Sequence, residues 1–344
     1  MERKSSETPR PRNATLKDVA SLAGVSVATA SKALNGRNYV HPETRKRVED
    51  AANKISFTPN TVAQGLLAGQ TGTVGLLTND LVGRLSLPIL IGAEDAFGRG
   101  KMSVFLCDAR GDSIRESYHV QALLGRRVDG LIVVASDTDP RPSLGPDLPV
   151  PVVYVYGPSD SPDDHSVVPD NVGGAALATN HVLSLGRKRV VHINGDQSFL
   201  AARDRSEGVQ AALAAAGLEL VGGETLYGAW SEAWGRTAIT ALLERHPDID
   251  AVLCGSDQIA RGVLEQLRET GVSVPEQIAV VGFDNWDVLA TGSRPQLSTV
   301  DMDLENLGRI AAQRLFAAID GTEGAGIETL PCRLVIRGST VSGS

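Results

Sequence analysis

The period of the apolar positions changes near residue 73. Before it, Leu16, Val19, Ala20 and Ala23 recur at helical spacing. Thr15 stands three residues before Asp18, so hydroxyl and carboxylate can satisfy each other's backbone N–H, and Gly24 stops the helix. Ser26 caps a second helix from Val27 to about Leu34 that ends at Asn35-Gly36. Two short helices joined by a tight glycine-containing turn predict a helix-turn-helix. Pro42 opens a third helix, with Val48, Ala51, Ala52 and Ile55 inward and Arg45, Lys46 and Arg47 outward.

From Thr73 onward, short apolar runs alternate with amphipathic stretches. The runs predict strands at Val74–Thr78, Ser103–Cys107, Gly130–Val134, Val152–Tyr156, Val190–Ile193, Ala251–Cys254, Ile278–Gly282 and Arg333–Ile336. Between them the spacing predicts helices near Pro88–Gly98, Ile114–Arg126, Val172–Leu185, Asp204–Ala215, Ala233–Arg245, Asp257–Thr270 and Leu304–Ile319. This is the signature of βαβ units and parallel sheets covered on both faces. So long a pattern exceeds one comfortable sheet and predicts two α/β subdomains with a cleft between them.

Charge separates the two regions again. The net charge of -8 conceals residues 1–72, with eleven Lys or Arg against six Asp or Glu, ahead of an acidic remainder. A basic module on an acidic body points to a polyanion partner for the first part only. Cys107, Cys254 and Cys332 stand alone, with no CxxC and no histidine at ligand spacing, so neither a disulfide framework nor a zinc site is expected. No apolar span is long enough for a membrane, and the charged start lacks a secretory h-region, so a cytoplasmic, nucleoid-associated protein is expected.

The run Thr15-Leu16-Lys17-Asp18-Val19-Ala20, then Ala23-Gly24-Val25-Ser26 and Ala28-Thr29-Ala30-Ser31-Lys32-Ala33-Leu34-Asn35-Gly36, resembles the headpiece of the LacI/GalR family of bacterial transcription regulators. Val128-Asp129-Gly130-Leu131-Ile132, Asp170-Asn171-Val172-Gly173-Gly174, Gly186-Arg187-Lys188-Arg189, Ser256-Asp257-Gln258-Ile259-Ala260 and Val280-Val281-Gly282-Phe283-Asp284 follow in family order. Pro295-Gln296-Leu297-Ser298-Thr299 is similar to the family's Pro-Pro-Leu-Thr-Thr. The resemblance implies a headpiece, a hinge helix and a periplasmic-binding-protein-like core of two doubly wound parallel-sheet subdomains, with three chain crossings. The implied division is a disordered arm at 1–13, the headpiece at 14–59 and hinge and linker at 60–72. The core N-subdomain takes 73–168 plus 300–326, and the C-subdomain 169–299 plus 327–340.

In a helix-turn-helix the start of the second helix meets base edges, here Val27, Ala28 and Lys32. The first two offer only apolar contact, for example to a thymine methyl, whereas Lys32 reaches a guanine O6 or a phosphate as a point charge. Thr15 belongs to the same DNA-facing set, and Thr29, Ser31, Asn35 and Arg37 are phosphate candidates. The resemblance places Leu66 where family members wedge a leucine into the minor groove, a step whose unstacking cost is offset by the contacts the bend permits. The alternative is that Leu66 packs in an ordinary linker helix.

On the effector side, the resemblance carries Arg205, Asp284, Ser256 and Trp230 to ligand positions, with Ser86 and Asp108 facing them from the other subdomain. A guanidinium fork and a carboxylate each engage vicinal hydroxyls, and an indole packs on the apolar face of a sugar ring. That set suits a mono- or disaccharide. Trp286, on the loop after Asp284, is read equally as ligand stack or as packing, and Trp234 as core. Tyr156 takes a strand-end position where some members carry a ligand-binding Asp, which leaves the sugar's identity open. Asp257 is expected to cap the helix it begins.

No GxSxG, HExxH or GxGxxG-after-strand pattern is present, so catalysis, a cofactor and a metal are not expected. The reading is a homodimeric repressor of double-stranded operator DNA, without a membrane partner. A C-terminus too short for a leucine-heptad helix adds the expectation that the dimer does not become a tetramer. A transport-type sugar-binding protein would share the core, and an α/β enzyme acting on a sugar would share the cleft.

Overall fold

A computed structural model describes residues 14–34, 40–57, 70–80, 84–98, 102–322 and 324–342. The chain divides into two compact units, Met1–Thr71 and Gly72–Ser344.

The first unit holds α1 (Leu16–Ala23), α2 (Val27–Leu34) and α3 (Pro42–Lys54). The reciprocal cap forms as the spacing predicts: Thr15 N donates to Asp18 Oδ2 at 2.8 Å and Asp18 N to Thr15 Oγ1 at 3.3 Å. Gly24 ends α1 at φ 64°, a left-handed turn that glycine adopts without steric cost. Ser26 Oγ accepts from Thr29 N at 3.1 Å, capping α2. Val19, Ala20, Ala23, Ala30, Ala33, Val48, Ala51 and Ala52 make the core, with Leu16 and Ile55 packed against it.

In the second unit the elements run β1 (Thr73–Thr78), α4 (Ser86–Phe97), β2 (Ser103–Asp108), α5 (Ser113–Gly125), β3 (Gly130–Val134), β4 (Val152–Val155) and β5 (His165–Pro169). Then come α6 (Asn171–Ser184), β6 (Val190–Asn194), α7 (Leu200–Ala215), β7 (Leu226–Tyr227), α8 (Glu232–Arg245), β8 (Ala251–Cys254), α9 (Asp257–Glu269) and β9 (Ala279–Phe283). The chain closes with α10 (Asp287–Ala290), β10 (Ser298–Asp301), α11 (Leu304–Ile319), β11 (Gly326–Leu330) and β12 (Arg333–Val335).

These strands build two six-stranded sheets, ordered β11-β5-β4-β3-β1-β2 and β12-β10-β9-β8-β6-β7. All pairings are parallel except β10 with β12. Central strands such as β3, β6, β8 and β9 are buried at every position, as sheets covered on both faces require. The chain passes between sheets after β5, after β10 and after β11. β11 pairs with β5 from Gly326↔His165 to Leu330↔Pro169, so the last crossing follows Leu330, not residue 326.

Helices pack so closely that glycine is required at the crossings. A Cβ on Gly92 of α4 would lie 1.7 Å from the Glu305 carbonyl oxygen, and one on Gly308 of α11 2.0 Å from that of Ile89. Gly235 of α8 and Gly262 of α9 meet backbone at 2.2 and 2.0 Å in the same reciprocal way in the second subdomain.

Apolar runs miss β5, β7, β10 and β11, whose segments are short or mostly polar. Helix α7 starts at Leu200, ahead of the expected Asp204, because its N-terminus is capped from outside the local sequence.

Candidate functional site

On α2, Val27, Ala28 and Lys32 are exposed, while Ala30 and Ala33 on the other face are buried in the three-helix core. Val27 is 45% exposed at the start of the helix. Thr29 Oγ1 lies 2.8 Å from Ser26 Oγ, and the Thr15 hydroxyl donates to Asp18 at 2.7 Å, so both are tied to helix caps. Ser31 is half-buried. Lys46 and Arg47 are exposed on α3. Asn35, Arg37, Leu66 and the rest of 60–69 in the hinge lie outside the described residues.

In the second unit, the C-terminal ends of the parallel strands face one cleft, where ligands bind in open α/β sheets. Arg205, in the second turn of α7, is almost wholly buried. Its Nε donates to Asn171 Oδ1 at 2.9 Å and its Nη1 to the Gly255 carbonyl, while its guanidinium carbon sits 3.7 Å from the Phe283 ring centroid. Trp230 flanks the same guanidinium at 5.8 Å. That indole occupies the space above Gly195, where a Cβ would come within 2.1 Å of the ring.

Asp284 follows β9 in a left-handed conformation at φ 113°, a strained setting for a side chain with a Cβ. Its Oδ1 is 3.6 Å from Arg205 Nη1, and its Oδ2 is 3.0 Å from Nη1 of Arg84 in the other subdomain. Both oxygens are buried, and neither has an aligned hydrogen-bond donor among the described residues. Trp286 lies 5.6 Å from the Arg84 guanidinium. A cavity of about 510 Å³ opens here, lined by Arg84, Leu87, Asp284, Trp286, Asp301 and Leu304 among others. Tyr156, buried at the end of β4, has its phenol pushed up chiefly by burial, with Arg205 pulling the other way.

Asp257 departs from expectation. Ser256 is the cap of α9, accepting from Ile259 N at 3.3 Å, while the Asp257 carboxylate points away and accepts from Trp286 N at 2.7 Å and Thr299 Oγ1 at 2.5 Å. Burial, reinforced by the neighbouring Asp284 charge, pushes this carboxyl up to about 8.

Arg84, Asp284 and Trp286 line the cavity, and Arg205 joins Asp284 from behind it, with Trp230 and Asn171 against its guanidinium; Tyr156 is buried and lies outside the cavity's lining. The other three candidates are engaged elsewhere. The Ser256 hydroxyl caps a helix, and buried Ser86 Oγ pairs with Thr78 Oγ1 at 2.5 Å. Asp108 accepts from Arg110 N at 2.9 Å. Trp234 Nε1 donates to the Asn194 carbonyl at 2.9 Å, which fixes it as packing. Asn171 sits inside a stretch already recognised in the sequence, but its partner Arg205 is distant along the chain, so no local signal marks the contact.

No helix among the described residues is long and apolar enough to cross a membrane. Among those residues no three histidine, cysteine or carboxylate side chains converge as metal ligands.

A helix-turn-helix with an exposed reading edge, joined in one chain to a two-sheet core with a charged cleft, defines a DNA-binding transcription regulator. Residues 15–60 match the model for bacterial regulatory proteins of the lacI family, and residues 179–340 match a periplasmic binding protein-like domain. The HTH-type transcriptional regulator CelR of Thermobifida fusca is 34% identical over 337 residues, covering 95% of this chain and 96% of that protein. The ribose operon repressor of Escherichia coli (strain K12) is 33% identical over 311 residues, covering 89% and 93%. Among solved structures, the lac repressor dimer bound to operator and the anti-inducer ONPF aligns with a TM-score of 0.75 at 27% identity, covering 96% of this chain and 100% of that one. A CelR–cellobiose complex aligns at 0.63 and 30% identity, covering 95% and 100%. The chain belongs to the lacI family of bacterial regulatory proteins.

Proposed function

We propose that the protein is a homodimeric, cytoplasmic repressor whose affinity for operator DNA is set by a mono- or disaccharide bound in the cleft, and that it catalyses no reaction on that sugar. The observation that carries the reading is the buried Asp284 carboxylate, with two oxygens that lack aligned donors, set between the guanidinium groups of Arg84 and Arg205, which lie over the rings of Trp286 and Trp230. Sugar hydroxyls displace Arg84 and donate to Asp284 while accepting from Arg205, and an indole covers the ring's C–H face. The relatives point the same way: one is a ribose operon repressor, and another was solved with cellobiose.

On the DNA side, Val27, Ala28 and Lys32 read base edges, and Thr15, Thr29, Ser31, Asn35 and Arg37 position the backbone. Leu66 in the 60–72 hinge wedges the minor groove at the centre of a two-fold operator. Coupling is reciprocal, so a sugar that releases DNA binds the DNA-bound form more weakly by the same factor.

The test selects duplexes bound by the purified protein from a randomised pool. It then titrates the complex with cellobiose, ribose and a panel of other mono- and disaccharides, scoring release and looking for sugar products. Release by one saccharide without turnover is expected. Binding of every saccharide failing in calorimetry, or a product accumulating, would overturn the reading.

A further inference from the structure

Helix α7 carries Arg205 but has no cap of its own, since Phe199 at its start makes no side-chain hydrogen bond to it. The acceptor comes from the other sheet. Both carboxylate oxygens of Asp139, on the loop after β3, lie 3.1 Å from Leu200 N, the first residue of α7. Asp139 Oδ1 is also 3.5 Å from Arg203 Nη2, one turn along the same helix. The Asp139 loop is itself held, with Asp139 N donating to Asp137 Oδ1 at 3.1 Å.

We infer that Asp139 is a latch between the subdomains, acting as the N-cap of a helix it does not belong to. A carboxylate at a helix N-terminus is favoured by the free N–H groups and by the helix dipole. When the cleft opens, Leu200 N keeps no acceptor from α7's own side, so closure and capping are gained or lost together. Because Arg205 is five residues further along α7, the latch fixes where its guanidinium stands relative to the first subdomain. Arg84 and Asp284 form a second tie across the cleft, but one that shares its carboxylate with the proposed effector site. The Asp139 tie uses no group offered to a saccharide, so a bound sugar does not compete for it directly.

Hydrogen–deuterium exchange on the full-length, ligand-free protein tests this. Asp139→Ala is expected to accelerate amide exchange on both lips of the cleft, residues 84–90 and 284–290, while β6 and β8 stay unchanged. The expected acceleration is about two- to thirtyfold, the factor spanned by the loss of a capping side chain. Faster exchange confined to residues 200–203 would reduce Asp139 to a local cap and overturn the latch. Should Asp139→Ala loosen β6 and β8 as well, Leu200→Pro decides. Proline is well tolerated at the first helical position and removes the backbone donor that Asp139 accepts, leaving only the longer Arg203 contact, and Phe199 at φ -78° and ψ 136° suits a residue before proline. The same loosening of the lips is expected in Leu200→Pro, and lips as protected as in the unaltered protein would overturn the inference.

Discussion

Asp284 stands 3.0 Å from Arg84, a residue of the opposite subdomain, so the carboxylate proposed to receive the effector already joins the two halves of the cleft. Arg205 approaches its other oxygen at 3.6 Å from within its own subdomain. One buried anion thus answers two cations, and what replaces Arg84 on it decides whether the halves stay tied.

Arg84 holds Asp284 in competition with the sugar, so replacing it by a side chain of similar length without charge should favour binding. Arg84→Met is expected to raise saccharide affinity by up to about fivefold, the factor matching the ~1 kcal/mol upper range of a partly exposed ion pair. Isothermal titration with the sugar found in the release screen measures it. A loss of affinity would make Arg84 a direct sugar contact.

Arg205 and Asp284 are not equivalent targets. Arg205 is 2% exposed and bonded to Asn171 and the Gly255 carbonyl, so Arg205→Ala strips a buried network and leaves the Asp284 charge with Arg84 alone, at a cost of about 3 kcal/mol. Its melting temperature should fall by several degrees, and its operator binding is expected to weaken with it. Asp284→Asn keeps the shape and gives up only the charge. It should bind operator normally in sugar-free buffer yet need about tenfold more sugar for release, since bonds to a charged acceptor exceed neutral ones by roughly 1 kcal/mol or more. A normal sugar response in Asp284→Asn would remove the residue from the site.

Much of this arrangement was legible in the sequence because it depends on local rules. Thr15 and Asp18 are three apart, Gly24 follows a helical run, and β3 and β9 are unbroken apolar stretches. The parts that were not legible depend on partners far away in the chain. The early start of α7 needs Asp139, some sixty residues upstream, and β11 is a strand only because β5 offers it an edge. The cap of α9 is Ser256 in place of Asp257 for a related reason: adjacent residues, either able to cap, are told apart only by Thr299 and Trp286, which meet Asp257 from another strand and loop. Trp234, which its helical spacing assigns to the core, is directed at Asn194 by the first turn of α8, and Trp230 packs against the same core cluster.

Ser256 gives a sharper check on that capping role. With its hydroxyl capping α9, Ser256→Ala should lower stability by about 1 kcal/mol, the usual loss for an N-cap serine. Sugar affinity should be unchanged. Chemical denaturation and calorimetry on one preparation measure both, and a large loss of affinity with unaltered stability would return Ser256 to the ligand shell.

Asp257 predicts how stability varies with pH. Its folded-state carboxyl is pushed up to about 8 by burial and by the Asp284 charge, far above its ordinary value of 3.8. Between those values the folded protein keeps a proton that the unfolded chain releases, so stability declines as pH rises across that window and levels off above it. Asp257→Asn cannot lose that proton. It should begin less stable, because its Oδ1 can still accept from Trp286 N but its NH2 can only donate to Thr299 Oγ1, whose own O–H then loses its acceptor. Its stability should nevertheless fall less steeply with pH, so that the gap to the unaltered protein narrows towards alkaline conditions. Urea denaturation at several pH values between about 5 and about 9 measures the two slopes. Parallel slopes would mean that Asp257 is already ionised in the folded protein, with Thr299 and Trp286 holding its charge against both burial and Asp284.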